Sequence, residues 1–267
     1  MFQVKAMSQL LGVDRSFLHY YDQIGIIVPD KNEKKYRRYS ENDLIALASS
    51  KYYRAMEMPL KELSQMILES GLEEKSRLME AQREYLLRKS ALYADMATVA
   101  DYALAMYQTA YRDGIQGTGP MGAYEFICTV RSGHFDREFL SSQTVRDLLN
   151  FFPFVSYTCY FPPRAVLDEA AFRFEIGLSA IPAFRKKYGL VLPANAVTRP
   201  DQQAVIFTLS KDMDSETFTF QDFEPLRAYA RQEGISLTGE GIAYCVFSNY
   251  EREHGIIKYV IYFSQTT

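Results

Sequence analysis

At 267 residues, with 48% hydrophobic residues and a net charge of −3, the chain has room for two domains and a connector and is too apolar for wholesale disorder. The near-balanced charge argues against a broadly basic nucleic-acid coat. Three widely spaced cysteines, Cys128, Cys159 and Cys245, argue against a thiolate metal site or a disulfide framework, and each is expected to be buried. With no apolar leader and no run of membrane-spanning length, a cytoplasmic protein with no membrane partner and no cofactor is expected.

The first two helical patterns, Val4–Leu11 and Arg15–Ile24, are separated by Gly12-Val13, and Asp14 stands where a side-chain oxygen can cap the second helix. Lys31–Arg38 then packs five basic residues into eight. That is half of the ten Lys and Arg in residues 1–71, so phosphate contacts are expected to be focused and salt-dependent. A third helix opens on the capping box Ser40-x-x-Asp43, ahead of Leu44, Ile45, Leu47 and Ala48. A fourth starts at Pro59, carries Leu60, Leu63, Met66 and Ile67, and stops at Gly71. Residues 1–71 therefore have the order of a winged helix-turn-helix that reads DNA. Its second helix is expected in the major groove, with Arg15, Ser16 and His19 nearest the base edges. Tyr20, Arg37, Arg38, Arg54 and Lys61 are candidates for phosphate contacts, and Tyr21, Tyr36 and Tyr39 for the core.

Gly12-Val13, Leu18-His19-Tyr20-Tyr21-Asp22-x-x-Gly25-Ile26-x-x-Pro29 and Tyr36-Arg37-Arg38-Tyr39-Ser40-x-x-Asp43-Leu44 together resemble the signature of the MerR family of transcription regulators. The resemblance covers about the first quarter of the chain. It departs at His19, where the family usually has arginine.

From Leu72 to Arg112 there is neither Gly nor Pro, and Leu78, Tyr85, Leu92, Val99 and Met106 recur every seventh position. That repeat predicts a dimerisation helix over 72–112 with those five residues on its seam. Among the companion positions, Ala81, Met96, Ala103 and Ala110 fit, whereas Gln82, Lys89 and Asp95 are polar. The family resemblance implies an antiparallel coiled-coil homodimer. Such a dimer would present two winged helices to a pseudo-palindromic site.

Residues 113–122, with four glycines and a proline between Gly114 and Gly122, are expected to be a linker. Residues 123–267 alternate strand and helix patterns. Strands are expected at 124–131, 156–161, 171–178, 204–209, 241–248 and 256–263, with helices at 144–152 and 220–233. The order is βαββ twice over, giving an α+β domain from a duplicated unit. This pattern resembles the GyrI-like effector-binding domain that follows a MerR headpiece and coiled coil in multidrug-responsive activators.

Function in this half rests on its aromatic residues. Tyr157, Phe174, Glu175, Tyr244, Tyr259 and Tyr262 are the candidate lining of a pocket for a hydrophobic or cationic aromatic small molecule. Glu175 would supply the charge, because the stretches 241–248 and 256–263 hold no acid where the drug-binding relatives carry pocket glutamates. The resemblance implies an activator that remodels promoter DNA for RNA polymerase when its ligand binds. Two alternatives stand beside it: a hydrolase acting on its ligand, and a domain that docks a partner protein. The hydrolase reading is weak, because His134 and His254 fall in turn-like stretches and only Glu125 and Glu175 are acids within strands.

Overall fold

The computed structural model describes every residue except 32, 34, 35, 70, 132–133, 136–142, 213–216, 252–253 and 267. For 69, 130–131, 134–135, 247–251 and 254 it describes the backbone alone. Lys34 and Lys35 of the expected wing thus lie outside the described residues. The chain divides into two compact units, Met1–Tyr93 and Ala94–Thr267.

In the first unit, helix α1 (Val4–Leu11) ends on Gly12, whose φ of 60° closes the turn with hydrogen bonds to Gln9 and Ser8 carbonyls. A side chain at that left-handed position would be strained. Helix α2 (Arg15–Gln23) follows after three residues. Asp14 occupies its cap position, but the carboxylate makes no capping bond, contrary to expectation. Strands β2 (Asp30–Lys31) and β3 (Arg37–Tyr39) form the wing, and β3 also pairs with β1 (Phe2–Gln3). Helix α3 (Glu41–Ala55) carries the expected capping box, with the Asp43 N–H donating to Ser40 Oγ at 3.1 Å and the Ser40 N–H to Asp43 Oδ2 at 2.7 Å. Helix α4 (Leu60–Ser64) continues as a π-helical turn, Gln65–Glu69. Their inward faces supply one core of Met7, Leu18, Tyr21, Tyr39, Leu47 and Leu63, among others.

Helix α5 (Leu72–Thr109) runs for 38 residues. Leu78, expected on an intermolecular seam, is 7% exposed and belongs to the core of the first unit. The three polar residues that spoiled the repeat have partners within the chain. Gln82 is buried and donates to the Met56 carbonyl at 2.5 Å. Lys89 pairs with Glu57, which also accepts from the Tyr85 hydroxyl at 3.3 Å. Asp95 pairs with Lys187 at 2.5 Å and accepts from the Tyr188 hydroxyl. These positions are polar because they are spent on intrachain docking, and Leu78 and Tyr85 face the same way.

The hydrogen bonds from Lys187 and Tyr188 hold the Asp95 carboxyl below the usual carboxylate range. A carboxyl whose pKa falls on folding stabilises the fold above its unfolded value of about 4, and that contribution is lost as pH falls through the lowered value. Thermal melts of wild type and Asp95→Asn are therefore expected to differ most near neutrality and to converge in acid.

The second unit is built on an antiparallel sheet ordered β4-β10-β12-β11-β7-β8-β5-β6, with β9 also paired to β5. Its strands are β4 (Gly114–Met121), β5 (Tyr124–Arg131), β6 (His134–Phe135), β7 (Val155–Phe161), β8 (Glu175–Ala180), β9 (Val197–Arg199), β10 (Gln202–Asp212), β11 (Leu237–Glu251) and β12 (His254–Gln265). Helices α6 (Gln143–Leu149), α7 (Pro182–Tyr188) and α8 (Glu224–Glu233) connect them. The units β5-α6-β7-β8 and β10-α8-β11-β12 have matching order, and β7 joins β11 at the centre of the sheet. A short strand, β6, stands between β5 and α6 and has no counterpart among the described residues after β10.

Gly114–Met121 is not a linker. It is an edge strand, hydrogen-bonded along β10, with a bulge near Gly117, whose φ is 116°. Glycine fits there because a bulge needs a backbone that other residues adopt poorly. Similarly, His134 and His254 begin strands and do not sit in turns.

Two short links force the sheet to curl. β4 and β5 are six strand spacings apart, about 29 Å if the sheet were flat. Met121 and Tyr124 are three Cα steps apart in the chain, at most about 11 Å. The segment from β9 to β10 makes a second such crossing, and the Ala123 N–H donates to Asp201 Oδ1 at 2.7 Å between the two links. The convex side carries α8 over Cys159, Phe161, Phe207, Tyr259 and Phe263, and α6 over Ile127 and Leu178. The concave side carries Tyr124, Phe126, Tyr160 and Ile242, with Tyr244 and Tyr262 beside them.

Candidate nucleic-acid interface and ligand site

The winged unit forms a groove of about 570 Å³ whose lining includes Lys5, Arg15, His19, Tyr36, Arg37 and Arg38. Arg15, Ser16, His19 and Tyr20 are exposed along α2, the second helix of the turn, as a groove-reading helix requires. The wing is fixed against that helix by Arg37, whose Nε donates to Asp22 Oδ2 at 2.7 Å. Arg37 is therefore partly spent on positioning, whereas Arg38 is exposed. Arg54, expected to meet phosphate, donates to the Met58 carbonyl at 2.6 Å, and Lys51 does the same for Leu11. Both cations satisfy carbonyls at or just beyond helix ends. Lys61 is exposed on α4. Tyr21 and Tyr39 are buried as expected, but Tyr36 is 68% exposed and lines the groove. The extended residue before β3 turns its ring out of the core. Lys5 was not singled out from sequence, because a lone lysine on a short helix carries no pattern.

On the sheet, alternation divides the six ligand candidates. Glu175, Tyr244 and Tyr262 lie on the concave side, the two tyrosine rings 6.2 Å apart edge to face. Tyr259 and Phe174 lie on the convex side, packed on Phe218 at 4.7 and 5.2 Å. Tyr157 is exposed beside Phe152 on that same side. Phe174 packs on the same convex core as Phe172 and Ile176, as alternation along this stretch requires, so a lining that joins it to Glu175 draws on both faces of the sheet. Tyr157 and Tyr259 are in strands, but which face is concave depends on the curl of the whole sheet.

The polar centre of the concave side was missed altogether. Glu240 is 7% exposed and accepts from Arg199 Nε at 2.6 Å and from the Tyr160 hydroxyl at 2.5 Å. Arg199 Nη2 also donates to the Tyr160 oxygen at 3.3 Å. Burial, and then the neighbouring carboxylate, push the Tyr160 phenol up. Burial raises Tyr244 to about 12. From sequence this strand is expected to start at Gly241, since Gly239 and Gly241 look like turn punctuation. In fact Gly239, at φ 75°, passes close to the Arg164 backbone, and Gly241 lies under the Phe263 ring. The strand begins at Leu237 and includes Glu240, so the expectation of an acid-free strand fails.

Glu125 is on the other side of the sheet, 5% exposed and paired with Arg185 at 2.5 Å. It does not meet Glu175, which lies on the concave side. Of the cysteines only Cys159 is buried, and Cys245 is exposed. Among the described residues, no helix is long and apolar enough to cross a membrane and no cluster of His, Cys, Asp and Glu is arranged to hold a metal.

Helix, turn, groove-facing helix and wing define the first unit as a winged helix-turn-helix of the nucleic-acid-binding class. Residues 2–70 match the model of the MerR HTH family regulatory proteins, and the chain carries a MerR-family helix-turn-helix domain at its N-terminus. Over 105 residues it is 36% identical to the HTH-type transcriptional regulator SkgA of Caulobacter vibrioides, covering 39% of this chain and 41% of that protein. Over 104 residues it is 29% identical to the HTH-type transcriptional activator mta of Bacillus subtilis, covering 39% and 40%. The crystal structure of MtaN, the N-terminus of the Bacillus subtilis multidrug transporter activator, has a TM-score of 0.36 at 28% identity and covers 39% of this chain and 98% of that one. The chain spans about two fifths of the length of the curated relatives it matches.

Proposed function

We propose that the protein is a ligand-responsive transcription activator that binds promoter DNA as a homodimer and senses hydrophobic, drug-like aromatic compounds on the concave face of a GyrI-like domain. The observation that carries the DNA reading is the cationic groove between α2 and a wing locked by Arg37 and Asp22. Arg15, Ser16 and His19 meet base edges, while Arg38, Tyr20, Lys5 and Lys61 position the phosphates. RNA polymerase is the partner that reads the result. Ligand binding favours a conformer that bends and untwists an over-long promoter spacer, and the ligand's preference for that conformer must match a deformation cost of several kcal/mol.

Two substitutions separate the roles within the groove. Arg38→Ala is expected to weaken DNA binding across all sequences and to lower the slope of log affinity against log salt by about 1. Arg15→Ala is expected to cost about 1–3 kcal/mol and to relax preference at one base position. Fluorescence anisotropy with operator and scrambled duplexes between low and moderate salt measures both. An unchanged slope in Arg38→Ala would remove the wing from the interface.

The dimer seam supported by the structure lies one residue beyond the sequence-derived one. Leu92, Val99 and Met106 are half-buried within the chain. Tyr93, Met96, Leu104 and Tyr107 are 55%, 37%, 54% and 55% exposed, and with Ala100 they follow one another at intervals of three or four residues as an apolar stripe along one helix face. A second copy is the occupant proposed for that stripe, since a helix of 38 residues is about 57 Å long and exposes it over its second half.

A further inference from the structure

We propose that Arg199 makes the concave face selective for neutral aromatic ligands, by occupying the buried Glu240 carboxylate, which would otherwise attract an organic cation. This rests on the sensor reading above and assigns its ligand class.

Glu240 is 9% exposed at its side chain and Arg199 31%, so the acid is inside and the guanidinium closes over it from the rim. Both donors to Glu240 Oε1 come from the chain itself, at 2.6 Å from Arg199 and 2.5 Å from Tyr160. Burial alone would lower the Arg199 pKa, but the charge of Glu240 and the Tyr160 oxygen more than offset it, and the side chain stays cationic. A lipophilic cation that lacks N–H donors would have to replace charge-assisted hydrogen bonds with bare charge contact. It would also strand a guanidinium that loses its partner, and splitting such a pair is strongly unfavourable. The tether adds to this, since Arg199 ends a strand paired with β5 and never leaves the neighbourhood of Glu240.

What remains unsatisfied on this face is neutral. The Tyr124 hydroxyl and Thr158 Oγ1 are buried, in residues 1% and 2% exposed, and have no hydrogen-bond partner among the described residues. Unpaired hydroxyls in such a place are costly, and a ligand carbonyl or ether oxygen would recover that cost. Tyr244 and Tyr262 offer ring faces and edges for a flat molecule. The chemistry is that of an uncharged aromatic compound with an oxygen acceptor.

Two dyes test this on the full-length protein: Nile red, neutral and carbonyl-bearing, and crystal violet, a lipophilic cation with neither N–H nor carbonyl. Wild type is expected to bind Nile red and to bind crystal violet at least tenfold more weakly. Arg199→Gln should gain at least tenfold in crystal violet affinity, and Arg199→Gln with Glu240→Gln should lose that gain. Arg199→Lys keeps the charge and should keep the wild-type preference, which guards against a Gln variant that misfolds. Wild type binding crystal violet as tightly as Nile red, or no gain in a folded Arg199→Gln, overturns the role given to Arg199. Failure of both dyes to bind any variant overturns the sensor reading instead.

Discussion

Leu104→Arg combined with Tyr107→Arg is expected to convert the protein to a monomer and to weaken operator binding by about 10²–10⁴-fold, the usual gain from linking two sites. Both side chains are about half exposed and belong to the stripe left open by the second half of α5. Charges on an apolar seam must be desolvated to pair, so two per helix should suffice to separate the copies. Binding to a single half-site should hardly change, because neither residue touches the winged unit's core. Sedimentation velocity together with half-site and full-site titrations measures all three quantities. The same substitutions at Leu92 and Val99 separate the two registers. If the sequence-derived seam were the real one, that pair would abolish dimerisation and the Leu104–Tyr107 pair would not.

Phe223→Ala is expected to destabilise the second unit by about 3–5 kcal/mol, enough to unfold it at moderate temperature. Phe223 is fully buried, and its ring lies 5.1–6.1 Å from those of Phe161, Phe172, Phe207, Phe218 and Phe263. It is thus the centre of the convex core, and truncation leaves a cavity that rigid rings on five sides cannot close. Thermal denaturation followed by near-ultraviolet circular dichroism reports this loss directly. DNA binding by the winged unit should persist at temperatures where the second unit has melted. Simultaneous loss of both would mean that the two units unfold as one.

The headpiece was legible from sequence because its signals are local. A glycine at a left-handed helix end and a capping box each act within a few residues, and both occur where expected. The strands of the second unit were legible for the same reason, through alternation and β-rich composition. What was missed depends on distant parts of the chain. Gly114–Met121 looks like a linker because its glycines prevent any strand pattern, and only its pairing with β10 makes it a strand. Gln82, Lys89 and Asp95 look like defects in a repeat until Met56, Glu57, Lys187 and Tyr188 are brought to them. Glu240 was lost between two glycines, and Arg199 stands in a strand of three residues, too short for periodicity to register.

The strand β4 has a mechanical consequence. Its first residues are pinned at the helix end, where the Thr208 hydroxyl donates to the Arg112 carbonyl and Ser210 Oγ donates to Asp113 Oδ1 at 3.0 Å. A rotation of the end of α5 about its axis is thereby passed to the rim of the sheet through the four residues Ala110–Asp113 that these bonds hold. The coupling runs equally in reverse: a change in sheet curvature twists the helix. A flexible tether would let the sheet turn freely against the end of α5, whereas these bonds make a twist of either one felt by the other.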